Sequence, residues 1–288
     1  MHKPFRFGVN LTAPGSRSEW VAKCRRAEEL GYDVVAVPDH LGLPAPFPAL
    51  MLAAEVTERV RLTTFVLNTP FYNPVLLARD VAGLDAFTDG RFELGLGTGY
   101  VGAEFEAAGM PFPSAGQRVD HLEETIGTLR KLYADPDYQP RPTQPTGPPL
   151  MVAGWGDRVL RLAAEQAEII AFVGGTVGNG NPMLADAAAV AKKIDYVRTL
   201  LSGRDAEFNL LIQQIAAPAE RETLALAMAP ALPVDTPLED IPTLLVGAPT
   251  EIADTLRERR ARYGFSYITV LEPNLEKFAP IIELLSGE

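Results

Sequence analysis

Residues 150–174 constrain the fold of this chain more than any other segment. Residues 150–153 form a short apolar run directly after two prolines, which is typical of a buried strand. Residues 157–167 repeat apolar side chains at helical spacing, and residues 169–173 form a second apolar, β-branched run. This order predicts a strand, a helix and a strand, with a right-handed crossover between two parallel strands.

The turn that precedes this helix carries Gly154 and Gly156 on either side of Trp155. Backbone N–H groups in such a turn can approach an anion closely, and the helix dipole favours negative charge at this end. The turn is therefore a candidate phosphate site. A tight structural turn without a ligand explains the two glycines equally well.

The rest of the chain repeats the alternation of strand and helix. Strands are predicted over residues 5–9, 33–37, 61–67, 92–96, 150–153, 169–173, 208–215 and 267–271. Helices are predicted over residues 19–30 with Ser18 as the N-cap, and over 47–59, 74–87, 117–132, 157–167, 184–201, 250–263 and 275–285. Eight strands that alternate with helices predict an α/β fold, a (β/α)8 TIM barrel, with a doubly wound parallel sheet as the alternative.

Two stretches depart from this alternation. Residues 134–149 contain six prolines and predict an irregular excursion over the surface. Residues 219–243 mix helix-forming residues with prolines and are expected to form a second surface insertion. Because no flexible linker divides the chain, residues 1–288 are interpreted as one domain.

Composition limits the classes of partner. The net charge of −11 and the pI near 4.9 argue against binding to nucleic acid or to an anionic membrane. No run approaches the 18 or so apolar residues of a membrane-spanning helix, and the N-terminal residues lack the apolar core of a signal peptide. A single cysteine, Cys24, cannot form an intrachain disulfide. We therefore expect a soluble cytoplasmic protein.

In a barrel of parallel strands, the residues directly after the strands form the catalytic face. Of the three histidines, only His40 follows a predicted strand. Its imidazole could donate or accept a proton during an oxidation or reduction, although a lone histidine is more often structural. Asp39 can orient a ligand, cap the turn, or do both.

A second glycine pattern, Gly97-Thr98-Gly99, follows the fourth predicted strand. It suits the approach of a polyol or phosphate chain, and a tight loop is the equally weighted alternative. The spacing does not match a dinucleotide-binding fingerprint, and no G-x-S-x-G elbow is present. The histidines and the single cysteine have no metal-ligand spacing, so we expect no metal site.

Four segments resemble the luciferase-like flavin-dependent oxidoreductase superfamily: AEELGYDVVAVPDHL, TTFVLNTPFYNPVLLARDVAGLDAFTDGRFELGLGTGY, YQPRPTQPTGPPLMVAGWGDRVLRLAAEQA and LLVGAPTEIADTLRERRARYG. The resemblance spans nearly the whole chain. It implies a TIM barrel with inserted surface segments, a flavin or deazaflavin at the carboxyl-terminal face of the barrel, and a homodimer. The chain is most similar to the branch that uses the deazaflavin coenzyme F420, which implies hydride transfer to or from a small organic substrate.

The resemblance also implies roles for individual residues. Asp39 matches an aspartate that touches the cofactor, and His40 matches a histidine that acts as the proton donor. Thr64 and Phe65 match a bulge with a non-proline cis peptide that supports the cofactor ring, and Leu67 matches a residue that lines this ring. The other implied cofactor contacts are Thr98 and Gly99 for the cofactor chain, and Gly154, Trp155, Gly156 and Arg158 for its phosphate.

Two departures separate this chain from the sugar-phosphate dehydrogenases that it resembles. Their glutamate base after Gly-Thr-Gly is replaced by Tyr100. Their tryptophan shortly after the histidine is missing from residues 42–44. Both departures argue against a glucose-6-phosphate dehydrogenase.

Two other functions remain open at this stage. The first is an FMN-dependent monooxygenase that receives reduced flavin from a partner reductase and activates oxygen. Because deazaflavin reacts poorly with oxygen, oxygen consumption distinguishes this monooxygenase from an F420-dependent oxidoreductase. The second is a protein that binds flavin or deazaflavin without turnover.

Overall fold

The computed structural model describes residues 3–12, 15–178 and 181–288. The strands are β1 (Arg6–Asn10), β2 (Val34–Val37), β3 (Arg61–Thr64), β4 (Leu67–Asn68), β5 (Phe92–Gly97), β6 (Leu150–Gly154), β7 (Ile169–Phe172), β8 (Gly175–Gly178), β9 (Asn181–Leu184), β10 (Glu207–Ile212), β11 (Gln214–Ala216), β12 (Leu244–Val246) and β13 (Phe265–Leu271). The α-helices are α1 (Arg17–Glu29), α2 (Pro46–Val56), α3 (Pro74–Phe87), α4 (Gly102–Ala107), α5 (Ala115–Ala134), α6 (Asp157–Gln166), α7 (Ala187–Leu201), α8 (Arg221–Met228), α9 (Pro249–Tyr263) and α10 (Leu275–Leu285).

Eight parallel strands within these ranges form a closed barrel. Around the barrel the neighbours are β1, β2, β3, β5, β6, β7, β10 and β13, and β13 pairs again with β1. The pairing of β3 with β5 closes the ring. The predicted (β/α)8 barrel is therefore confirmed, and the alternative of an open doubly wound sheet is wrong.

Each barrel strand buries side chains on both faces. In β2, Val34 packs with Met151 and Tyr267 in a cluster of strand residues that fills the barrel lumen. Its neighbour Val35 belongs to the larger core between the barrel and the helices. Burial on both faces explains why the strands read as continuous apolar runs.

A partly buried ionic cluster around the buried Glu93 lies at the amino-terminal end of the barrel. Glu93 Oε1 lies 2.5 Å from Arg6 Nη1 and 2.5 Å from Arg61 Nε, and Arg6 Nη2 lies 2.8 Å from Glu207 Oε2. The guanidinium of Arg6 is also 4.2 Å from the centre of the Tyr267 ring. A ligand must therefore enter the barrel from the opposite, carboxyl-terminal end.

Several predicted boundaries are wrong. Helix α1 is capped by Ser16 rather than Ser18, because Ser16 has the extended backbone of an N-cap and its Oγ accepts a hydrogen bond from Glu19 N at 3.3 Å. The predicted helix 184–201 begins only at Ala187, since Leu184 ends the antiparallel hairpin of β8 and β9. The predicted strand 208–215 ends at Ile212, and the short strand β11 pairs with β12 outside the barrel.

The two predicted insertions differ in character. Residues 135–149 form turns and irregular backbone, as predicted. The segment 219–243 is more ordered than its sequence indicates, because α8 and several 3-10 turns surround a small separate core. This core also contains Leu184, which joins the segment to β9. In the described part of the chain, no helix has the length and apolar character needed to cross a membrane.

Candidate active site

The predicted site residues lie on one arc of the open, carboxyl-terminal end of the barrel, which we call the mouth. All of them lie on or directly after the neighbouring strands β2, β3, β4, β5 and β6, whose carboxyl ends meet at the same end of the barrel. By strand they are Asp39 and His40 after β2; Thr64, Phe65 and Leu67 in and between β3 and β4; Thr98 and Gly99 after β5; and Gly154, Trp155, Gly156 and Arg158 at the start of α6. The fold thus brings together residues that lie up to about 120 positions apart in sequence.

A β-bulge separates β3 from β4. Thr63 pairs with Glu93 and Leu67 pairs with Leu96, so three residues on one strand face two residues on β5. The peptide bond between Phe65 and Val66 is cis. The resemblance implied a cis bond at Thr64–Phe65, and the structure has it one residue further along the chain.

Gly95 makes room for this bulge. A Cβ atom at Gly95 would lie 1.9 Å from the carbonyl oxygen of Thr64. The hydroxyl of Thr64 donates a hydrogen bond to Gly95 O at 2.8 Å and accepts one from Gly95 N at 2.9 Å. Thr64 is fully buried, so it supports the bulge from beneath.

The side chains of the bulge differ in access to the mouth. Leu67 is fully buried in the core between the barrel and the helices. Its side chain therefore lies away from the mouth, and the contact with the cofactor ring that the resemblance implies for Leu67 stays a prediction. Phe65 and Val66 are half-buried and pack against the cluster in the lumen, so they are better placed for this contact.

Asp39 holds the far end of the bulge. Its Oδ2 accepts a hydrogen bond from the backbone N–H of Asn68 at 2.9 Å, and its carboxyl is also hydrogen-bonded to the hydroxyl of Tyr72. Burial raises the pKa of Asp39 above its ordinary value, while these two hydrogen bonds oppose the rise. Burial and the neighbouring Asp39 raise the pKa of Tyr72, which keeps its hydroxyl protonated as a donor. Asp39 therefore has a structural role in addition to any contact with a ligand.

His40 is paired with a carboxylate that the sequence did not indicate. Its Nδ1 lies 2.7 Å from Oε1 of Glu104, which is in α4. The Glu104 side chain is 13% exposed and the His40 side chain is 36% exposed. Within the described ranges Nε2 of His40 forms no hydrogen bond, so this nitrogen remains available at the mouth.

Tyr100 contacts the same histidine from the loop after β5. The two rings meet edge to face with their centres 5.9 Å apart. Burial raises the pKa of the Tyr100 hydroxyl, and the negative charge of Glu104 raises it further. Tyr100 therefore stays a neutral phenol beside the pair of His40 and Glu104.

The Gly-Thr-Gly loop is folded against the bulge. Gly99 has a φ of 67°, and a Cβ atom there would lie 2.0 Å from Oδ1 of Asn68. The carbonyl oxygen of Gly99 accepts a hydrogen bond from Arg118 Nε at 3.0 Å. Oδ1 of Asn68 is buried and has no hydrogen-bond partner among the described residues. Thr98 is half-buried beside it.

The two glycines at the start of α6 differ in the space that surrounds them. A Cβ atom at Gly154 would lie 2.5 Å from Cγ1 of Val159, so packing against the helix accounts for this glycine. Gly156, the N-cap, has an ordinary φ of −71°, and no described atom lies within 4 Å of the position of a Cβ. Trp155 between them packs partly against the core. Gly156 therefore has no steric requirement for glycine within the described protein, although glycine is a favoured N-cap residue.

Two cations near this turn, Arg158 and Lys193, are paired with carboxylates. Arg158 Nη2 lies 2.5 Å from Asp120 and 3.3 Å from Glu123 on α5. Lys193 Nζ lies 2.6 Å from Asp157. A phosphate at the turn would thus rely on backbone N–H groups and the helix dipole unless Arg158 left its partners.

The geometry defines a (β/α)8 barrel with a histidine–carboxylate pair and a strand bulge at its open end. The chain belongs to the luciferase-like monooxygenase family, whose family model matches residues 2–264.

Similar proteins include enzymes that use coenzyme F420. The chain is 36% identical over 186 residues to the F420-dependent glucose-6-phosphate dehydrogenase of Intrasporangium calvum, a match that covers 56% of this chain and 54% of that protein. It is 38% identical over 117 residues to the enzyme of that name from Kribbella flavida, which covers 38% and 35% of the two chains. The chain thus spans about half or less of the length of these two relatives.

Solved structures show the same fold at low identity. The monooxygenase RslO1 from Streptomyces bottropensis has a TM-score of 0.74 at 23% identity, with 97% of both chains covered. An F420-dependent secondary alcohol dehydrogenase in complex with an F420-acetone adduct has a TM-score of 0.71 at 18% identity, with 98% of both chains covered. These similarities describe the fold and leave the reaction to be argued from the site.

Proposed function

We propose that this chain is a coenzyme F420-dependent oxidoreductase that transfers a hydride between the deazaflavin and a small organic substrate. The observation that carries the proposal is the pair of His40 and Glu104 at the open end of the barrel, next to the bulge at Phe65–Val66. The names of the relatives from Intrasporangium calvum and Kribbella flavida support the choice of cofactor.

The residues at the mouth fit such a cofactor. The open space at Gly156, together with the N-terminal N–H groups of α6, suits the close approach of a phosphate. Phe65 and Val66 provide half-buried apolar contacts for a ring. The unpartnered Oδ1 of Asn68, which lies beside Gly99, suits a hydroxyl donor of a polyol chain. When bound, coenzyme F420 supplies a ring that accepts or donates a hydride.

In this proposal, His40 donates or accepts the proton that accompanies hydride transfer. A hydride transfer to or from a carbonyl or alcohol carbon requires a proton at the oxygen, and an imidazole is suited to supply or remove it near neutral pH. The barrel is packed in its lumen and closed by ions at the amino-terminal end, so the reacting groups meet only at the mouth. The site can therefore orient the partners and limit their contact with water.

The substrate of the glucose-6-phosphate dehydrogenases does not follow from their names. Tyr100 occupies the position of their acidic residue, and residues 42–44 lack their tryptophan. We therefore propose a small organic substrate other than glucose 6-phosphate.

Parallel titrations of the purified protein with coenzyme F420 and with FMN, followed by fluorescence, test the proposal. We expect tight binding of the deazaflavin only. Preference for FMN, with oxygen consumption in the presence of a flavin reductase, would indicate the monooxygenase instead. Binding of neither compound would contradict the cofactor site.

A variant at His40 tests the chemistry separately. We expect His40→Ala to bind coenzyme F420 normally and to lose turnover by about 100-fold or more. Glu106→Ala is a matched control, because Glu106 is exposed on α4. If wild type and His40→Ala both bind coenzyme F420 and neither shows turnover, the protein that binds cofactor without turnover would be favoured. The homodimer implied by the resemblance stays a prediction, which light scattering can check.

A further inference from the structure

We propose that Glu104 is a positioning residue that holds His40 in one tautomer, with the proton on Nδ1 and the lone pair on Nε2. This inference rests on the proposed function for its catalytic consequence, but the tautomer itself can be measured without turnover. Glu104 lies in α4, four positions after Tyr100, and its carboxylate would act through the imidazole of His40.

The contact is short and well supported. Nδ1 of His40 lies 2.7 Å from Oε1 of Glu104, within the range of a charge-assisted hydrogen bond. The next residue, Phe105, is fully buried, and its ring centre lies 4.9 Å from those of Phe71 and Phe112. This anchor fixes the short helix α4 and leaves the carboxylate little freedom to leave the imidazole.

The chemistry of the two groups determines the tautomer. An ionised carboxylate only accepts hydrogen bonds, so a neutral His40 must place its proton on Nδ1 to bond with Glu104. Nε2 then carries a lone pair and can accept a proton from a substrate hydroxyl or, once protonated, donate it back. Without Glu104, the imidazole is free to hold its proton on Nε2. A protonated Nε2 has no lone pair and cannot accept a proton from the substrate.

A second role for Glu104 makes a different prediction. Glu104 lies in the first turn of α4, where a negative charge favours the helix dipole. If this were its only role, removing the carboxylate would change stability but not the His40 tautomer. Glu106 is the matched control, because it lies on the same helix, is acidic and is exposed.

The experiment is ¹⁵N NMR of the imidazoles of the full chain during a pH titration, with the tautomer read at the alkaline plateau of the His40 signals. The signals of His40 are assigned by their loss in His40→Gln. We expect wild type and Glu106→Ala to show the Nδ1–H form, and Glu104→Ala to shift toward the Nε2–H form. An unchanged tautomer in Glu104→Ala would overturn the proposal, as would an Nε2–H form in wild type.

Kinetics then measure the consequence. We expect Glu104→Ala to lower kcat by about 10- to 100-fold, a part of the loss in His40→Ala, with the Kd for coenzyme F420 unchanged. Glu104→Gln keeps an oxygen that can accept from Nδ1–H, so it should retain the tautomer and more of kcat than Glu104→Ala. Equal losses in both variants, with the tautomer kept in Glu104→Gln, would overturn positioning by this hydrogen bond.

The two proposals fail in different ways. If His40→Ala has the wild-type rate while Glu104→Ala changes the tautomer, the role of His40 in turnover is wrong and the positioning of its ring stands. If His40→Ala is inactive while Glu104→Ala keeps both tautomer and rate, the proposed function stands and the role of Glu104 is wrong.

Discussion

Replacing Gly156 with alanine tests whether the turn before α6 exists for a ligand. Gly156 has φ −71° and ψ 144°, a conformation that alanine adopts without strain, and no described atom lies within 4 Å of the added Cβ. The protein alone therefore gives no steric reason for glycine here. If a phosphate approaches the N–H groups of α6, a methyl group at this position obstructs it.

The expected effects on stability and on binding differ in size. Alanine is a clearly poorer N-cap than glycine, which costs about 1 kcal/mol, but it also reduces the freedom of the unfolded chain by about 0.4–1 kcal/mol, so the net loss of stability should be within about 1 kcal/mol. The loss of one charge-assisted hydrogen bond to the phosphate costs about 1.5–3 kcal/mol. This loss corresponds to a Kd for coenzyme F420 that is raised about 10- to 100-fold.

Gly154→Ala is the matched control on the same turn. Its Cβ would lie 2.5 Å from Cγ1 of Val159, so we expect a loss of stability of about 1–3 kcal/mol from overpacking. Fluorescence titration with coenzyme F420 and chemical unfolding should be measured for both variants. Wild-type affinity in Gly156→Ala would refute the interpretation of this turn as a phosphate site, and the two glycines would then be purely structural.

Three further predictions concern the rest of the barrel. Glu93→Gln should lower the free energy of unfolding, measured in urea, by about 1–3 kcal/mol, because Arg61 then faces a neutral partner and Arg6 keeps only Glu207; an unchanged midpoint would contradict this. Burial raises the pKa of the Cys24 thiol to about 12, so a thiol reagent at pH 8 should label Cys24 only after unfolding. Rapid labelling of the native protein would contradict this prediction, because it would show that the thiol is accessible. Burial also raises the pKa of Asp39 in the folded state, so its ionised form destabilises the protein at neutral pH. Asp39→Asn removes this pH-dependent cost but also loses one of the two accepted hydrogen bonds, so the stability of the variant relative to wild type should fall as the pH drops from 7 toward the ordinary aspartate pKa of about 4; a difference that does not depend on pH would contradict this cause.

The sequence was most informative where local pattern and burial agree. The strands of a closed parallel barrel are apolar on both faces, and helix α3 (Pro74–Phe87) matches its predicted bounds because proline begins it and Asp89-Gly90 follows it. The hairpin of β8 and β9 was missed although its pairing is local, because residues 175–184 are rich in Gly, Asn and Pro and lack the alternating β-branched and aromatic residues of a typical strand. Ser16 and Ser18 are both suited to cap α1, and only the backbone conformation distinguishes them.

In the candidate site, too, some residues could be predicted from the local sequence and others could not. His40 and Asp39 could be named from the sequence because they directly follow a predicted strand. Glu104 could not, because its contact with His40 joins residues 64 positions apart and depends on how α4 folds back over the mouth. A possible signal was an acidic residue in a short helix directly after a Gly-Thr-Gly loop.

The sequence by itself determined the barrel, the order of its strands, and the arc of the mouth that carries the polar residues, because these follow from periodicity and from turns between adjacent elements. The tertiary structure alone decided which side chains reach the mouth. Leu67 is turned into the core while Phe65 and Val66 are not, since one extra residue in a bulge changes the face on which each following side chain lies. It also decided that Glu104 pairs with His40, because side-chain contacts between distant segments depend on packing that no local pattern encodes.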